Sequence, residues 1–353
     1  MRSIKIALLS LLIILGIALL FLVFFFFWAS SGSLPADRLS EIKVYSNSLF
    51  PRPLQSKSSF KVMTYNIGYL SGMLNNQLDK ADIAFFQDNA RKFEHMLRKI
   101  QPDFIGFQEI DYGSYRSYFH NQLDQIAMHS GYRYAAKAIN WDMKYVPFPY
   151  WPPSVHFRKI ISGQAVLSRY PIGMARRIEL QPVQHKPFYY RAFYLDRLVQ
   201  MVRIEINGRQ LLIMNIHLEA YEKETREKQA DEVLKIYRSV RDRYPVLLIG
   251  DFNCVPPQAS QKSGFVDEPD MDFEGRNIIS LFLQEESLKE AFLDPEFNLS
   301  ETKTFTFPSD EPSRKLDYIF YDHRKISCIK VEVLKLDSSD HRPVLMEFSF
   351  RPD

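Results

Sequence analysis

The stretch YPVLLIGDFNCVPP (residues 244–257) runs an apolar segment into a glycine, then presents Asp251 and Asn253 just before a proline pair. Asp and Asn are poor strand residues and gain nothing from a core unless they are hydrogen-bonded. Alone, Gly-Asp and Pro-Pro read equally well as turn punctuation. The pattern recurs, however. Asn66 follows MTY, Gln108 and Glu109 follow FIGF, and Asn215 and His217 stand within MNIHL. Asp317 sits inside KLDYIF, and Asp340 and His341 precede RPVLMEF. Any one of these would pass as a cap, a turn or a satisfied core group. Converging on one edge of stacked sheets, they would build a pocket rimmed by oxygens with two imidazoles beside it. That is a site for a hard cation and for proton transfer.

The elements that would carry these residues read as α/β. Apolar runs suited to buried strands are FKVMTYNI, DFIGFQE, QAVLS, QLLIMNIHL, PVLLIG, LDYIFY and PVLMEFSF, in that order from Phe60 onward. Helical patterns lie between several of them. In 84–100, Ala90, Phe93, Leu97 and Ile100 share one face, and Pro102 ends the segment. Residues 221–243 put Ala230, Val233, Leu234 and Tyr237 on one stripe with dense charge opposite. A third helix is expected over 276–293.

The 353 residues are 46% hydrophobic and 25% charged, a globular composition that leaves no room for wholesale disorder. A net charge of +3 argues neither for nor against nucleic acid. Cys254 and Cys328 are too few for a disulfide framework or a cysteine metal site. The N-terminus is sharper. Arg2 and Lys5 precede an uncharged apolar run over residues 6–28 that ends in four phenylalanines and Trp28. About 20 apolar residues suffice to cross the hydrocarbon core as a helix, and terminal aromatics suit the interface. A cleaved signal peptide is the alternative, because WASSGS offers small residues after the run. The early basic residues place the N-terminus in the cytoplasm and the rest, as a single-pass protein, on the extracytoplasmic side. No cysteine follows the run, which excludes a lipoprotein anchor. The expected division is a membrane anchor over 1–28, a Ser- and Pro-rich tether over 29–59 and a catalytic domain over 60–353.

The ordered set TYNI, GFQEID, SGQAVLSRYPI, NIHLEA, IGDFN, KLDYIF and SSDHRPVL resembles the endonuclease/exonuclease/phosphatase superfamily, from about Phe60 to Phe350. The resemblance implies a four-layer α/β/β/α sandwich, two mixed β-sheets face to face with helices outside. It implies a phosphoesterase dependent on Mg²⁺, or Mn²⁺. Carried over by position, Glu109 resembles the principal metal carboxylate, with Asn66 and Asp340 nearby. Asp251 and Asn253 correspond to the pair that orients the attacking water and contacts the phosphate. His217 resembles the histidine on a phosphoryl oxygen, and His341 the general base oriented by Asp317. The Asp251 and His341 roles are open to exchange.

Such chemistry explains the residue types. A phosphodiester repels its nucleophile until its charge is neutralised, which Mg²⁺ does through oxygen ligands. An imidazole near pKa 6.5 can take a proton, and a carboxylate on its far nitrogen fixes the tautomer.

Departures from the family's patterns narrow the branch. TYNIGYL lacks the tryptophan-asparagine start of abasic-site enzymes, and GDFNCVPP lacks the tryptophan-containing extension of the inositol phosphatases. Secreted nucleases and lipid phosphodiesterases remain. The stretch WDMKYVPFPYWPPSVHFRK, residues 141–159, is rich in aromatics and prolines. It reads as a stiffened lid or as a membrane-facing rim. Tyr115, Arg116 and Arg197 are candidate substrate ligands, with structural ion pairing the competing role for the arginines. The expected partner is a phosphodiester, a phospholipid or sphingomyelin-type headgroup ahead of nucleic acid, with the membrane engaged through residues 6–28. A catalytically dead binding module would be marked by loss of the glutamate or the last histidine, and both are present.

Overall fold

The computed structural model describes residues 2–46, 57–75, 77, 81–293 and 299–352. Helix α1 (Arg2–Ala29) leads into β1 (Ser40–Val44). There follow β2 (Phe60–Asn66), α2 (Ile83–Ile100), β3 (Phe104–Asp111), α3 (Gln122–Ser130), β4 (Tyr134–Val146) and β5 (Arg158–Ser168). The middle of the chain forms β6 (Ile172–Glu179), α4 (Phe188–Arg191), β7 (Leu198–Ile206), β8 (Arg209–His217), α5 (Lys223–Val240) and β9 (Val246–Asp251). The chain closes with α6 (Ile278–Leu283), β10 (Leu288–Glu290), β11 (Asp317–Asp322), β12 (Ile326–Val333) and β13 (Val344–Phe350).

Two mixed sheets result. One runs β1-β4-β5-β3-β2-β13-β12 and the other β10-β11-β9-β8-β7-β6. Each contains a parallel pair, β2 with β3 and β8 with β9, and is otherwise antiparallel. The period-two alternation of β9 shows why they stack. Leu247 and Ile249 pack between the sheets, while Val246 and Leu248 face the layer of α5 and α6. On the opposite outer side, Ile105 and Phe107 of β3 meet Ala90, Phe93 and Leu97 of α2 and Leu123 and Ile126 of α3. The fold is the four-layer sandwich expected, two mixed sheets flanked by helices.

The α2 and α5 faces are those the periodicity predicted. Asp82 caps α2 by accepting from the Phe85 amide at 2.8 Å, and Gln101, left-handed, ends it just before Pro102. The helix expected over 276–293 is shorter. It stops at Leu283, and Leu288–Glu290 leaves the helical path to pair antiparallel with β11, closing a sheet edge that would otherwise stay open. The 29–59 tether is also corrected. Residues 47–56 lie outside the described residues, but Ser40–Val44 is an edge strand on β4, so part of this segment belongs to the domain. Of the 141–159 stretch, residues 141–146 complete β4 and 158–159 begin β5, leaving a loop over 147–157.

Candidate active site

Adjacent strands of the second sheet end in register. His217 on β8 lies opposite Asp251 on β9, and Asp251 lies opposite Asp317 on β11. Gly250 makes the approach possible: a Cβ there would stand 1.9 Å from the Ile216 carbonyl oxygen, and its φ of +143° is one that side chains rarely adopt. The first sheet contributes from the facing edge. Its β3 slips register between Phe107 and Ile110, and Glu109 takes a left-handed φ of 52° in that bulge, which swings its carboxylate out of the strand's alternation. Asn66 ends β2, and Asp340 and His341 lie just before β13.

These side chains converge. The Asn66 amide nitrogen donates to Asp251 at 3.0 Å and to Glu109 at 3.4 Å. That of Asn75 bridges Glu109 and Asp340 at 3.0 Å each. His217 Nε2 stands 3.6 Å from Asp251 and 3.8 Å from Glu109. His341 Nδ1 donates to Asp317 at 2.8 Å, leaving its Nε2 3.8 Å from Asp251. Asn253 is left-handed; its backbone amide donates to Asp251 at 2.8 Å and its side chain to the Leu218 carbonyl at 2.9 Å. Glu109, Asp251, His341, His217, Asn253 and Asp340 line one cavity of about 180 Å³, walled by aromatics that include Trp141, Phe148 and Phe193. Phe307 packs on the His341 ring at 4.7 Å.

The electrostatics are those of crowded, buried like charges. Burial pushes the Asp251 carboxyl up to about 7; Asp317 adds to this and His341 opposes it. Burial and Glu109 push Asp340 up to about 6. His341 is buried too, but Asp317 and Asp251 overcome that and hold its imidazolium to about 10. His217 is driven well below its ordinary value by burial, with Arg197 and His341 adding repulsion, so it is neutral. Its Nδ1 is buried with no hydrogen-bond partner.

The weaker candidates divide. Arg197 lines the cavity with its Nε on Glu219 at 3.3 Å and its Nη1 buried and unpartnered, so the ion pair and an open donor coexist. Arg116 is spent on a two-pronged pair with Asp111 at 3.1 and 3.0 Å, and Tyr115 carries the Arg158 guanidinium at 4.5 Å. Neither side chain lines the cavity; Arg116 lies directly behind its wall, the guanidinium stacked on the Tyr69 ring at 3.2 Å and 5.3 Å from that of Trp141. Gln108 and Asn215 also stand apart, joined at 2.5 Å between the sheets. Sequence reasoning missed Asn75, Glu219 and Phe307. Asn75 lies in LNNQ, where no periodicity or motif marks it; Glu219 lies inside NIHLEA and was available.

The model of the Endonuclease/Exonuclease/phosphatase family matches residues 63–341. None of the curated proteins compared with the chain matches it. Solved structures share the fold at low identity. A family member from Beutenbergia cavernae superposes with a TM-score of 0.58 at 18% identity, covering 83% of this chain and 72% of that one. A family protein from Bacteroides thetaiotaomicron gives 0.58 at 18%, covering 84% and 99%. The mannosyl-6-phosphatase Bt3783 of the same organism gives 0.55 at 18%, covering 82% and 100%. Enzymes of this family are typically dependent on a divalent metal, and a buried group of acids and histidine is present here. With the family's model matched across nearly the whole sandwich and its edge lined by these side chains, the chain belongs to the endonuclease/exonuclease/phosphatase family and is a hydrolase of phosphoester bonds.

Proposed function

We propose that this hydrolase is a membrane-anchored, Mg²⁺-dependent phosphodiesterase, with residues 1–28 as anchor and residues 60–353, together with the edge strand Ser40–Val44, as the catalytic domain on the extracytoplasmic side, cleaving a lipid headgroup by in-line attack of water. The observation that carries the reading is the His341–Asp317 pair aimed at Asp251, beside the Glu109 and Asp340 carboxylates. Oxygen donors crowded until two of them resist ionisation are a set that a hard cation relieves, so the residues fit the metal. Glu109 and Asp340 would hold it. Asn66 now turns its amide nitrogen to the carboxylates and its Oδ1 to the Gly68 amide at 3.2 Å, so it joins only by turning the amide. The ion, when bound, neutralises the phosphate and lowers the pKa of water.

The remaining roles follow from charge states. Asp251, near neutrality in pKa, suits a general base at working pH. Asn253 fixes it through the backbone amide. His341, held as imidazolium by Asp317, suits stabilisation of charge on the phosphoryl oxygens rather than proton abstraction. Neutral His217 supplies one N–H to the same oxygens, and Arg197 Nη1 supplies a second donor. The lipid assignment is supported by α1, the one helix among the described residues long and apolar enough to cross a membrane, and by the aromatic walls of the cavity.

The test sets a choline-phospholipid vesicle assay beside plasmid nicking, each with Mg²⁺ and with EDTA. EDTA-sensitive release of the headgroup is expected. Nicking without lipid hydrolysis would move the substrate to nucleic acid. Activity persisting in both Glu109→Gln and His341→Ala would place the chemistry elsewhere.

A further inference from the structure

Helix α1 does not hang from the domain by a loose strand; it is joined to the wall of the cavity. Phe25 packs edge-on against Tyr145 at 5.6 Å, and Phe26 against Phe193 at 5.5 Å and Phe188 at 5.9 Å. Phe193 lines the cavity that holds Glu109, Asp251 and His341, and Tyr145 precedes Val146, which lines it too. Ala29, where the helix ends, is fully buried. The chain then stays fastened to β4. The Lys144 amide donates to the Ser31 carbonyl at 3.1 Å. Asp142 accepts from the Ser33 amide at 2.8 Å, the Ser33 hydroxyl at 2.7 Å and the Leu34 amide at 2.7 Å. Between them, a Cβ on Gly32 would stand 2.8 Å from the Asp142 carboxylate. The Ile139 amide reaches the Leu39 carbonyl at 2.8 Å, and one residue later β1 pairs with β4. Both ends of the segment between helix and sheet are thus clasped to β4, with a short exposed turn over residues 35–38 between them.

Two loops beside this joint share an unusual surface. Phe148, Tyr150 and Trp151 on one, and Phe188 and Tyr189 on the other, are exposed. Residues 143–159 and 180–195 contain no Asp or Glu, although the chain carries 42, and they do contain Lys144, Arg158, Lys159, Lys186 and Arg191. Exposed aromatics ringed by basic residues match the interfacial layer of a bilayer with anionic lipids. Helix length sets the depth. Its 28 residues span about 42 Å at 1.5 Å per residue, against about 30 Å of hydrocarbon and about 40–45 Å including headgroups. Phe24 to Trp28 therefore end in the headgroup layer, and whatever touches Phe25 and Phe26 lies at that depth.

We infer that the loops over 147–157 and 184–194 bed in the interface of the membrane that α1 crosses, so that the cavity opens onto its headgroup plane and the enzyme serves lipids of its own bilayer. This rests on reading α1 as an anchor and the cavity as a phosphodiesterase site. The occupant is the bilayer because the aromatic surface continues that of the spanning helix without a break and carries the opposite charge to acidic lipids.

Full-length protein in phosphatidylcholine–phosphatidylglycerol vesicles tests it, in a Cys328→Ser background where the remaining Cys254 is buried. Nitroxides go at Trp151→Cys and Phe188→Cys, with Ile329→Cys on β12, at the far edge of the sheet from β1, as control. Expected is a several-fold higher ratio of oxygen to water-soluble nickel collisions at the first two than at the control. Equal, water-like ratios at all three overturn the inference, whatever the activity. A second arm places a fluorescent phosphodiester lipid in the enzyme's vesicles or in separate ones. Preference for its own vesicles, reduced in Trp151→Ala/Phe188→Ala/Tyr189→Ala while a short-chain soluble phosphodiester is cleaved unchanged, supports the docking. Lipid hydrolysed equally in both vesicle populations overturns it and leaves the proposed activity standing. Labels buried in the bilayer with no lipid hydrolysed uphold the docking and sink the lipid assignment.

Discussion

Two buried polar groups sit a few residues apart in this molecule and behave oppositely. Gln108 and Asn215 lie between the sheets, and their neighbours along the chain, Glu109 and His217, lie in the cavity. The inner group is uncharged and closes around Asn215, although the Gln108 Oε1 is buried without a partner. Asn215 donates to the carbonyls of Phe107 at 2.9 Å and Ala165 at 3.2 Å and to Gln200 at 3.1 Å, and accepts from Gln108. It carries no charge and asks nothing of a ligand. In the outer group carboxylates and imidazoles crowd one another, two carboxyls are pushed toward neutrality, and His217 Nδ1 and Arg197 Nη1 lack partners. Neither burial nor a polar atom left without a partner separates the two groups; crowded charge facing a cavity does.

The contrast can be broken at several points. The largest effect is expected from Asp251→Asn, which should lower kcat by about 10²–10⁴-fold, the ordinary worth of a general base. Its melting temperature without metal should hold or rise, since a crowded carboxylate is gone. Steady-state kinetics and calorimetry read the two, and a fall in both would merge the groups' roles.

Asn215→Leu should do the reverse. It strands its partners at a cost of about 1–3 kcal/mol in urea titration, with kcat of the folded fraction unchanged. A kcat loss matching that of Asp251→Asn would undo the comparison.

Metal binding should depend on pH through the outer group. Asp251 and Asp340 have folded pKa values of about 7 and about 6, above their unfolded values, so the metal-free fold gains from holding protons that an ion must displace. Two consequences follow in sign. Without metal, this share of stability is full below the unfolded values, near pH 4, and is lost as pH rises through about 6 to 7. Affinity for Mg²⁺ should climb over the same window and level above it, with protons released on binding. Titration calorimetry in buffers of different ionisation enthalpy measures both, and flat affinity from pH 5.5 to 8 would contradict the assignment.

Smaller still is Arg197→Lys, which keeps the charge but loses the fork that serves Glu219 and the cavity together. About a tenfold rise in KM with kcat little changed is expected, about 1.4 kcal/mol of uniform binding. The smallest is Tyr115→Phe, for which no kinetic change is expected, because its ring faces Arg158 rather than the cavity.

What could be read from the sequence follows the same division. Runs buried on both faces, such as Val246–Asp251 and Asp317–Asp322, announced themselves as strands. Ile172–Glu179, half-exposed on an edge, and the three-residue Leu288–Glu290 did not, because pairing with a neighbour rather than hydrophobicity holds them. In the site, polar residues at strand ends pointed to Glu109, His217, Asp251, Asp317 and His341. The same rule gathered Gln108 and Asn215, since composition does not say which way a side chain faces. That is decided by the bulge between Phe107 and Ile110, which no residue type there foretells. Asn75 was illegible for a different reason: a loop residue acquires its role only once the fold delivers two carboxylates to it.

The edge strand Ser40–Val44 bears on how the domain is produced without its helix. Starting expression at residue 45 would leave the β4 edge from Tyr134 to Ala138 with unsatisfied backbone groups, discard the Lys43–Asp124 and Glu41–Lys137 pairs, and invite the aggregation that naked edges cause. Beginning near Ser33 keeps the strand together with its Asp142 clasp, and recovering more monomer from that boundary is what the pairing predicts.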